Sequence, residues 1–522
     1  MLFNSLDLTI VALYCIGIIG LATYVSRQSS GHERSAEDYF LAGRSLPWWA
    51  IGASLIAANI SAEQIIGMSG QGFVVGMAIA TYELTAAIAL IVMAKFFLPL
   101  FLEKKIYTMP QFLEQRFDKW VCLVLSLFWV AVYIFINLTS VLWLGSLAIN
   151  TLTGFDISYG LWALVFLSLA YSLKGGLKAV ALTDAIQVFL LILGGLAVSY
   201  IALDQISNNQ GFIQGFQIVL TTIPEKFDMI LSKDHPSYSD LPGVWVLIGG
   251  LWVAHFAYWG FNQYITQRAL GAKSLPEAQK GVMFAAFLKL LMPIVVVLPG
   301  ICAVVLIPQL DSPDTAYPAM MGLLPSGLLG LTFAALIAAI VSSLASMTNS
   351  VSTIFTMDIY KQFLSEQVDE RKLVVVGRNV ALISIVVAAL CAQPLLGNLE
   401  SAFQYIQNFT GFFTPGILVI FLVALFWKKA TSLSVLVAAL ASLILSIAMF
   451  MFAPDDFPFQ HRMGIVFLVT GFLCYMTALV QGYTDQEKAV DLNSINFQTS
   501  KGFNISTIVI LFILIIIYSM WW

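Results

Sequence analysis

The chain has 522 residues, of which 59% are apolar and only 10% are charged, whereas about a quarter of the residues in an ordinary soluble domain carry a charge. With a mean hydropathy of +0.89, these values exclude a water-soluble globular protein. The net charge of −4, without a basic stripe, gives no sign of a nucleic-acid partner. The five cysteines lie in separate apolar runs, which argues against a disulfide framework or a zinc site. We therefore expect an all-α polytopic membrane protein that has the lipid bilayer as its surroundings.

Apolar runs bounded by polar turns divide the sequence into fourteen predicted membrane spans. We number them 1 to 14 in chain order, and they cover residues 8–26, 48–70, 76–101, 121–149, 157–173, 180–202, 243–266, 281–307, 327–357, 374–394, 402–427, 432–453, 463–481 and 504–521. No positive charge precedes span 1, and its apolar run is too long for a typical signal peptide, so we expect it to be retained. The 203–242 connection has room for a short helix but not for an enzyme domain.

The basic residues predict the orientation of these spans. Of the 25 lysines and arginines, twenty fall in connections on one side of the membrane and three in connections on the other. Because lysine and arginine concentrate in cytoplasmic loops, this asymmetry predicts a multi-pass protein of the cell (inner) membrane with both termini extracellular or periplasmic. Lys289 lies deep inside span 8, where an ionisable side chain is a functional candidate.

Two spans contain polar stretches in the middle of the membrane. Span 2 includes Asn59, Glu63 and Gln64. Span 7 includes His255, with two glycines before it at 249 and 250 and two amide residues after it at 262 and 263. Transporters break helices at corresponding places in two related halves, so we expect spans 2–6 and 7–11 to be inverted repeats of five helices. The predicted divisions are an N-terminal helix and cytoplasmic loop, the first repeat, an extracellular loop, the second repeat and three C-terminal helices, at residues 1–46, 47–203, 204–242, 243–429 and 430–522.

Span 9 contains a cluster of hydroxyl and amide side chains. Ser342, Ser346 and Asn349 are spaced to share one helix face, and Ser343 adjoins them. Hydroxyl oxygens together with free carbonyls of an interrupted neighbouring helix would suit a monovalent cation. The alternative is that these serines bond only to the carbonyls of their own helix.

Four segments make a family resemblance specific. They are Glu37 to Trp49, Ala57 to Gln64, Tyr171 to Leu177 and Ile340 to Asn349, and they resemble the sodium:solute symporter family. Within that family the whole chain is similar to bacterial members that transport galactose or glucose. The resemblance implies a LeuT-like core of ten helices in two inverted repeats, with one helix before it and three after it, which matches the fourteen spans.

The resemblance also implies roles for individual residues. It implies that sodium is bound by the carbonyls of Ala57, Ile60 and Ala339 and the hydroxyls of Ser342 and Ser343, with Asp184 near the sodium exit route. For the sugar it implies Gln64, Glu83, Lys289 and Gln407 as hydroxyl partners, Tyr258 as an inner gate held by Asn59, and Met68, Tyr82 and Phe403 as the outer closure. His255 and Ala86 depart from the family pattern, where an asparagine and a serine are expected, so the preferred sugar is left open.

The expected function is sodium-coupled import of a hexose by alternating access. The first alternative keeps the fold and the ion but replaces the sugar by sialic acid, inositol or an amino acid; Glu83 argues against a carboxylate cargo. The second is a membrane sensor, for which the longest inside connections are too short to form an output domain. The sequence contains no phosphate-binding Gly-x-x-x-x-Gly-Lys-Ser/Thr motif, so we expect neither direct ATP coupling nor an enzyme.

Overall fold

The computed structural model describes residues 3–25, 36–364, 369–397, 402–454 and 456–522. In these ranges the secondary structure is helical, and the β contact found there is an isolated bridge between Leu46 and Ala272. The expected all-α class is confirmed. Residues 26–35, which include the first part of the predicted connection after span 1, lie outside the described residues.

Ten helices of the described ranges are long and apolar enough to cross a bilayer. They correspond to predicted spans 3, 4, 6 and 8 to 14 and run over Met77–Glu103, Lys119–Thr153, Val180–Ile206, Leu275–Leu306, Leu328–Phe363, Glu370–Leu396, Ile406–Phe426, Ser432–Phe452, Phe459–Val480 and Lys501–Met520. A broken pair of helices corresponds to span 2. Span 1 is the helix Ser5–Val25.

Shorter helices connect or flank these spans. They are Ala36–Leu41, Met109–Arg116, Phe212–Thr222, Ala316–Met321 and Ala402–Gly411. The helix Phe212–Thr222 confirms the prediction that the long 203–242 connection has room for a short helix.

Spans 5 and 6 differ from the prediction, because one helix runs without a loop from Ile157 to Ile206. The sequence Lys174–Gly175–Gly176 predicted a turn between them. Lysine is a good helix former, and a glycine costs only about 1 kcal/mol in a helix interior, so local hydrogen bonding continues through this stretch. The count of fourteen separate spans therefore stays a prediction.

The predicted break in span 2 is confirmed. One helix runs from Trp48 to Asn59, and the chain resumes as a helix at Glu63 after a bend of 61°. Ile60 leaves the helical conformation at φ −76° and ψ 82°. The Ser61 hydroxyl accepts a hydrogen bond of 3.2 Å from the backbone N–H of Glu63, which satisfies a donor at the start of the second helix.

The predicted break in span 7 is also confirmed, and it occurs twice. Gly249 separates the short helix Trp245–Ile248 from Leu251–Phe261, and Asn262 separates the latter from Gln263–Leu270. Asn262 has extended backbone with φ −76° and ψ 124°. Its side-chain oxygen accepts a 2.5 Å hydrogen bond from the Tyr133 hydroxyl of span 4, which holds the interruption against a neighbouring helix.

Span 9 lies at the centre of the molecule and the C-terminal spans lie at its edge. The apolar window of span 9 is 89% buried inside the protein, whereas that of span 14 is 17% buried. The start of span 9 is capped by Asp7 of span 1, whose carboxylate accepts hydrogen bonds of 2.7 and 2.9 Å from the N–H groups of Gly327 and Gly330. A carboxylate is favourable at a helix N-terminus, so this contact fixes the helix that bears Ser342 and Ser343.

Candidate functional site

A cavity of about 130 Å³ lies between the broken spans and is also bordered by spans 3, 4, 8 and 11. A cavity needs only about 10–15 Å³ to hold one water molecule, so this volume admits an organic ligand of several heavy atoms. The residues that the family resemblance implied for the sugar and its gates all line this cavity: Asn59, Gln64, Met68, Tyr82, Glu83, Tyr258, Lys289, Phe403 and Gln407. His255, which departs from the family pattern, lines it as well.

A buried ion pair dominates one wall of the cavity. The ammonium of Lys289 lies 2.6 Å from a Glu83 carboxylate oxygen and also donates to the Asn59 side-chain oxygen. The Gln64 amide donates to the other oxygen of Glu83. The Lys289 ammonium also lies 5.0 Å from the centre of the Trp259 ring. Because a buried charge without partners is costly, these contacts explain how span 8 can hold a lysine at this depth.

Tyr258 joins the two broken spans. Its hydroxyl accepts a 3.1 Å hydrogen bond from the Asn59 amide and lies 2.5 Å from the hydroxyl of Tyr264. Tyr264 follows the Asn262 interruption, so this contact also connects the two sides of the break in span 7. The family resemblance implied the contact of Tyr258 with Asn59. Tyr264 was missed, because a tyrosine six residues away on an uninterrupted helix would point elsewhere.

His255 is bound by a residue that the sequence did not single out. Its Nε2 atom lies 2.7 Å from the hydroxyl of Thr85 on span 3. Thr85 immediately precedes Ala86, the second position that departs from the family pattern. Ala86 is buried and does not line the cavity. On this turn of span 3 the hydrogen bond to His255 is therefore made by Thr85.

Aromatic side chains and a methionine also line the cavity. The rings of Tyr82 and Phe403 meet edge to face at 6.0 Å, and the sulfur of Met68 lies 3.1 Å from the Gln64 amide. The Gln460 amide of the helix Phe459–Val480 donates to the Tyr82 hydroxyl at 3.2 Å. Gln460 lies just before predicted span 13, and no signal in the sequence indicated this contact.

Two of the candidate sodium ligands, Ala57 and Ser343, meet where the first helix of span 2 ends. The Ser343 hydroxyl donates to the carbonyls of Ala57 and Ala58, at 3.2 Å each. Carbonyls in the last turn of a helix lack partners within the helix, so the break supplies the oxygens that Ser343 reaches. Ala58 was missed. Ile60 is the next residue after this helix, and Ala339 lies one turn before Ser343 on span 9.

Asp184 binds directly to a candidate sodium ligand. Its two carboxylate oxygens accept hydrogen bonds from Ser342 and Ser54, and the guanidinium of Arg268 donates to Ser54 at 3.2 Å. All four side chains are fully buried. The sequence predicted Asp184 but missed Arg268 and Ser54.

Ser346 follows the alternative interpretation of the span 9 serines. Its hydroxyl donates to the Ser342 carbonyl of its own helix at 2.7 Å and accepts from Arg268. Ser342 and Ser343 instead bond across helices. In the described ranges no group of three or more His, Cys, Asp or Glu side chains is arranged to hold a metal.

The family model of the sodium:solute symporters matches residues 39–444. The chain belongs to the sodium:solute symporter family. Over 99% of its length it is 48% identical to the sodium/glucose cotransporter of Vibrio parahaemolyticus, and the match covers 98% of that protein. It is 29% identical to the human sodium/myo-inositol cotransporter 2 over 84% of the chain and 69% of that relative.

Solved structures agree with this fold. A substrate-bound, outward-open Na⁺-coupled sialic acid symporter aligns with a TM-score of 0.80 at 21% identity, over 93% of this chain and 100% of the other. A nucleobase-cation-symport-1 transporter aligns with a TM-score of 0.54 at 13% identity, over 91% and 99% of the two chains. As a member of the sodium:solute symporters, the protein is a multi-pass, sodium-coupled transporter and not an enzyme.

Proposed function

We propose that this protein imports a hexose of the galactose or glucose type together with sodium. The observation that supports this proposal is the chemistry of the cavity. Amides, a hydroxyl, an imidazole and a paired carboxylate and ammonium face one space, and none of them demands a charged cargo. A sugar hydroxyl both donates and accepts, so it fits such a mixed set of partners. The whole-length similarity to a protein described as a sodium/glucose cotransporter supports the same cargo.

In this proposal Gln64, Glu83, His255, Lys289, Gln407 and Asn59 bind the sugar, with Tyr258 as the inner gate and Met68, Tyr82 and Phe403 as the outer closure. Sodium binds to the carbonyls of Ala57, Ile60 and Ala339 and the hydroxyls of Ser342 and Ser343, and Asp184 receives it on the exit route. The close contacts of Ser343 with Ala57 and of Lys289 with Asn59 support this division of roles.

The end of the first helix in span 2 is the proposed link between ion and sugar. Ala57 contacts the sodium-site serine and Asn59, two residues later, contacts both Lys289 and Tyr258. Sodium can favour sugar binding only by stabilising the conformation that binds sugar better. Fixing the carbonyl of Ala57 would position Asn59, and Asn59 would hold the gate and the ammonium.

We further propose the fourteen-span arrangement with two inverted five-helix repeats at residues 47–203 and 243–429. An N-terminal helix and loop would precede them at 1–46, the extracellular loop 204–242 would separate them, and three helices would follow at 430–522. Breaks in spans 2 and 7, the first of each repeat, support this arrangement. The distribution of lysine and arginine supports a location in the cell (inner) membrane with both termini outside.

A carboxylate cargo such as sialic acid or an amino acid fits the cavity less well. The ammonium of Lys289 is already paired with Glu83, and Glu63 adds a second carboxyl group to the lining. Inositol, a neutral polyol, fits the same chemistry and is the stronger alternative.

The test is sodium-driven uptake by the purified protein in proteoliposomes, with labelled galactose, glucose, myo-inositol, proline and sialic acid compared at equal gradients. We expect a hexose to be accumulated only with an inward sodium gradient. Accumulation of inositol or an acid without hexose would assign the alternative cargo.

A further inference from the structure

One side of the cavity contains buried polar atoms whose hydrogen-bonding capacity is unused. Oε1 of Glu63, Oδ1 of Asn137 and Nε1 of Trp129 line the cavity and have no hydrogen-bond partner. Asn137 and Trp129 are each 5% exposed. An unpartnered buried polar group costs about 1–3 kcal/mol, so such a set calls for a ligand or water that satisfies it.

This set differs from the residues around Lys289. Glu83, Gln64, Asn59 and Tyr258 already bond to one another or to Lys289. Glu63 and Asn137 present acceptor oxygens instead, and Trp129 presents a donor. We call Glu63, Trp129 and Asn137 the second wall.

The residues of the second wall lie on or next to the two broken spans. Glu63 is the first residue of the helix after the span 2 break. The Trp129 ring stacks on Tyr133 at 5.3 Å, and the Tyr133 hydroxyl bonds to Asn262 at the span 7 break. The second wall therefore rests on both broken spans and on span 4, and a ligand there would sense movement of either break.

We propose that the second wall is a binding site for hydroxyl groups of the transported sugar, with Glu63 as the acceptor that determines specificity. This inference rests on the proposed sugar transport and extends its binding site to span 4. Two acceptors and one donor on residues that line the same cavity match sugar hydroxyls, each of which donates and accepts.

The test uses sodium-driven uptake and competition in proteoliposomes with wild type, Glu63→Ala, Glu63→Gln and Trp129→Phe. The competitors are the transported hexose and its monodeoxy analogues. Ser69→Ala is the matched control, because Ser69 is a buried residue of the same broken span whose hydroxyl has no partner and does not line the cavity.

In wild type, one monodeoxy analogue should compete about 5- to 150-fold more weakly than the parent sugar, the cost of leaving a buried acceptor unpaired. In Glu63→Ala the parent sugar should compete more weakly by a similar factor. The ratio between the parent and this one deoxy analogue should therefore fall toward 1, while the ratios for the other deoxy analogues stay as in wild type. Glu63→Gln keeps an acceptor oxygen and should largely retain the ratio for that one analogue. Ser69→Ala should leave every ratio unchanged.

Two results in Glu63→Ala would overturn the proposal. An equal loss of competition for the parent sugar and all its analogues would show that Glu63 only maintains the fold, and ratios equal to those of wild type would show that Glu63 contacts only water. Should Glu63→Ala fail to fold, Trp129→Phe, which removes the indole donor of the second wall, decides the proposal in the same way through its own deoxy-analogue ratio. Wild type without sodium-driven hexose uptake would contradict the proposed function itself, and is therefore distinguished from failure of the second wall.

Discussion

Glu83 and Lys289 show how one pair of side chains can serve both stability and binding. They lie 2.6 Å apart, and both are almost completely buried. A buried pair of this kind contributes little net stability, but removing one partner leaves an uncompensated charge. The pair alone therefore does not distinguish a structural role from a role in binding.

Variants of the pair separate these two roles. Glu83→Gln and Lys289→Met should each lower the free energy of unfolding by about 3–5 kcal/mol, because each leaves one buried charge unpaired. The double variant should regain much of that stability, measured by thermal unfolding in detergent, yet remain without sugar uptake. Uptake that returned with stability would mean that the pair has only a structural role.

Tyr258 should act through both its ring and its hydroxyl. Tyr258→Ala removes the face that covers the sugar and should sharply reduce accumulated sugar. Tyr258→Phe loses the hydrogen bonds to Asn59 and Tyr264 and should change KM by only about 2- to 12-fold, the worth of a typical hydrogen bond. Tyr264→Phe, which removes the same hydroxyl contact from the other side, is the control. Equal accumulation by wild type and Tyr258→Ala in uptake assays would rule out a gate.

His255 should influence which sugar is preferred. His255→Asn restores the residue that the family pattern leads us to expect and should shift preference toward galactose, measured by competition among galactose, glucose and deoxy sugars. Thr85→Val removes the partner of His255 while leaving the imidazole in place, and so reports how far the 2.7 Å contact positions the ring. An unchanged ranking in His255→Asn would remove this residue from the sugar site.

At the scale of helices, the break in span 2 creates the proposed ion site. An uninterrupted helix would pair the Ala57 and Ala58 carbonyls with N–H groups of its own next turn. The interruption leaves them for the Ser343 hydroxyl of span 9. Span 9 itself stays helical and is capped by Asp7, so one element is rigid while the other is bent.

Ser343→Ala tests this pairing of elements. Losing one of about five oxygens should raise the sodium concentration for half-maximal uptake by about tenfold or more, equivalent to ~1.4 kcal/mol. Ser384→Ala is the control, since that buried hydroxyl bonds only to the Ala381 carbonyl of its own helix. Uptake that depends on sodium as in wild type would place the ion elsewhere.

At the scale of the whole molecule, the helices differ in how far they are buried by other helices. Span 9 is enclosed by other helices, whereas spans 12 to 14 expose most of their apolar windows and face lipid. Helices within lipid gain little from burying apolar surface against each other, so polar contacts such as Asp7 with Gly327 help to fix their positions.

The proposed orientation predicts which connections a membrane-impermeant thiol reagent can reach. A cysteine at Asn209, in the long outside connection, should be labelled in intact cells, and one at Lys429 should be labelled only after the membrane is opened. Unsubstituted protein is the control for its five native cysteines, of which Cys122, Cys302 and Cys474 are buried. The reverse pattern of labelling would invert the proposed topology.

The sequence alone determined the class of protein, because long apolar runs cannot be placed in water and because polar residues in such runs require partners. It also located both helix breaks, since Asn59 and Ser61 on span 2 and Gly249 and Asn262 on span 7 interrupt otherwise apolar helices. Local composition decides these features. The continuous helix through spans 5 and 6 is the exception, because the lysine and glycines there weaken a helix without ending it.

Only the tertiary structure decided which side chains meet. Thr85 next to His255, Tyr264 next to Tyr258 and Arg268 near Asp184 join residues on different helices or on opposite sides of a break. Their sequence spacing has no period that would reveal the contact. The unused atoms of the second wall are likewise invisible in the sequence, because whether a buried polar group has a partner depends on the packing of its neighbours.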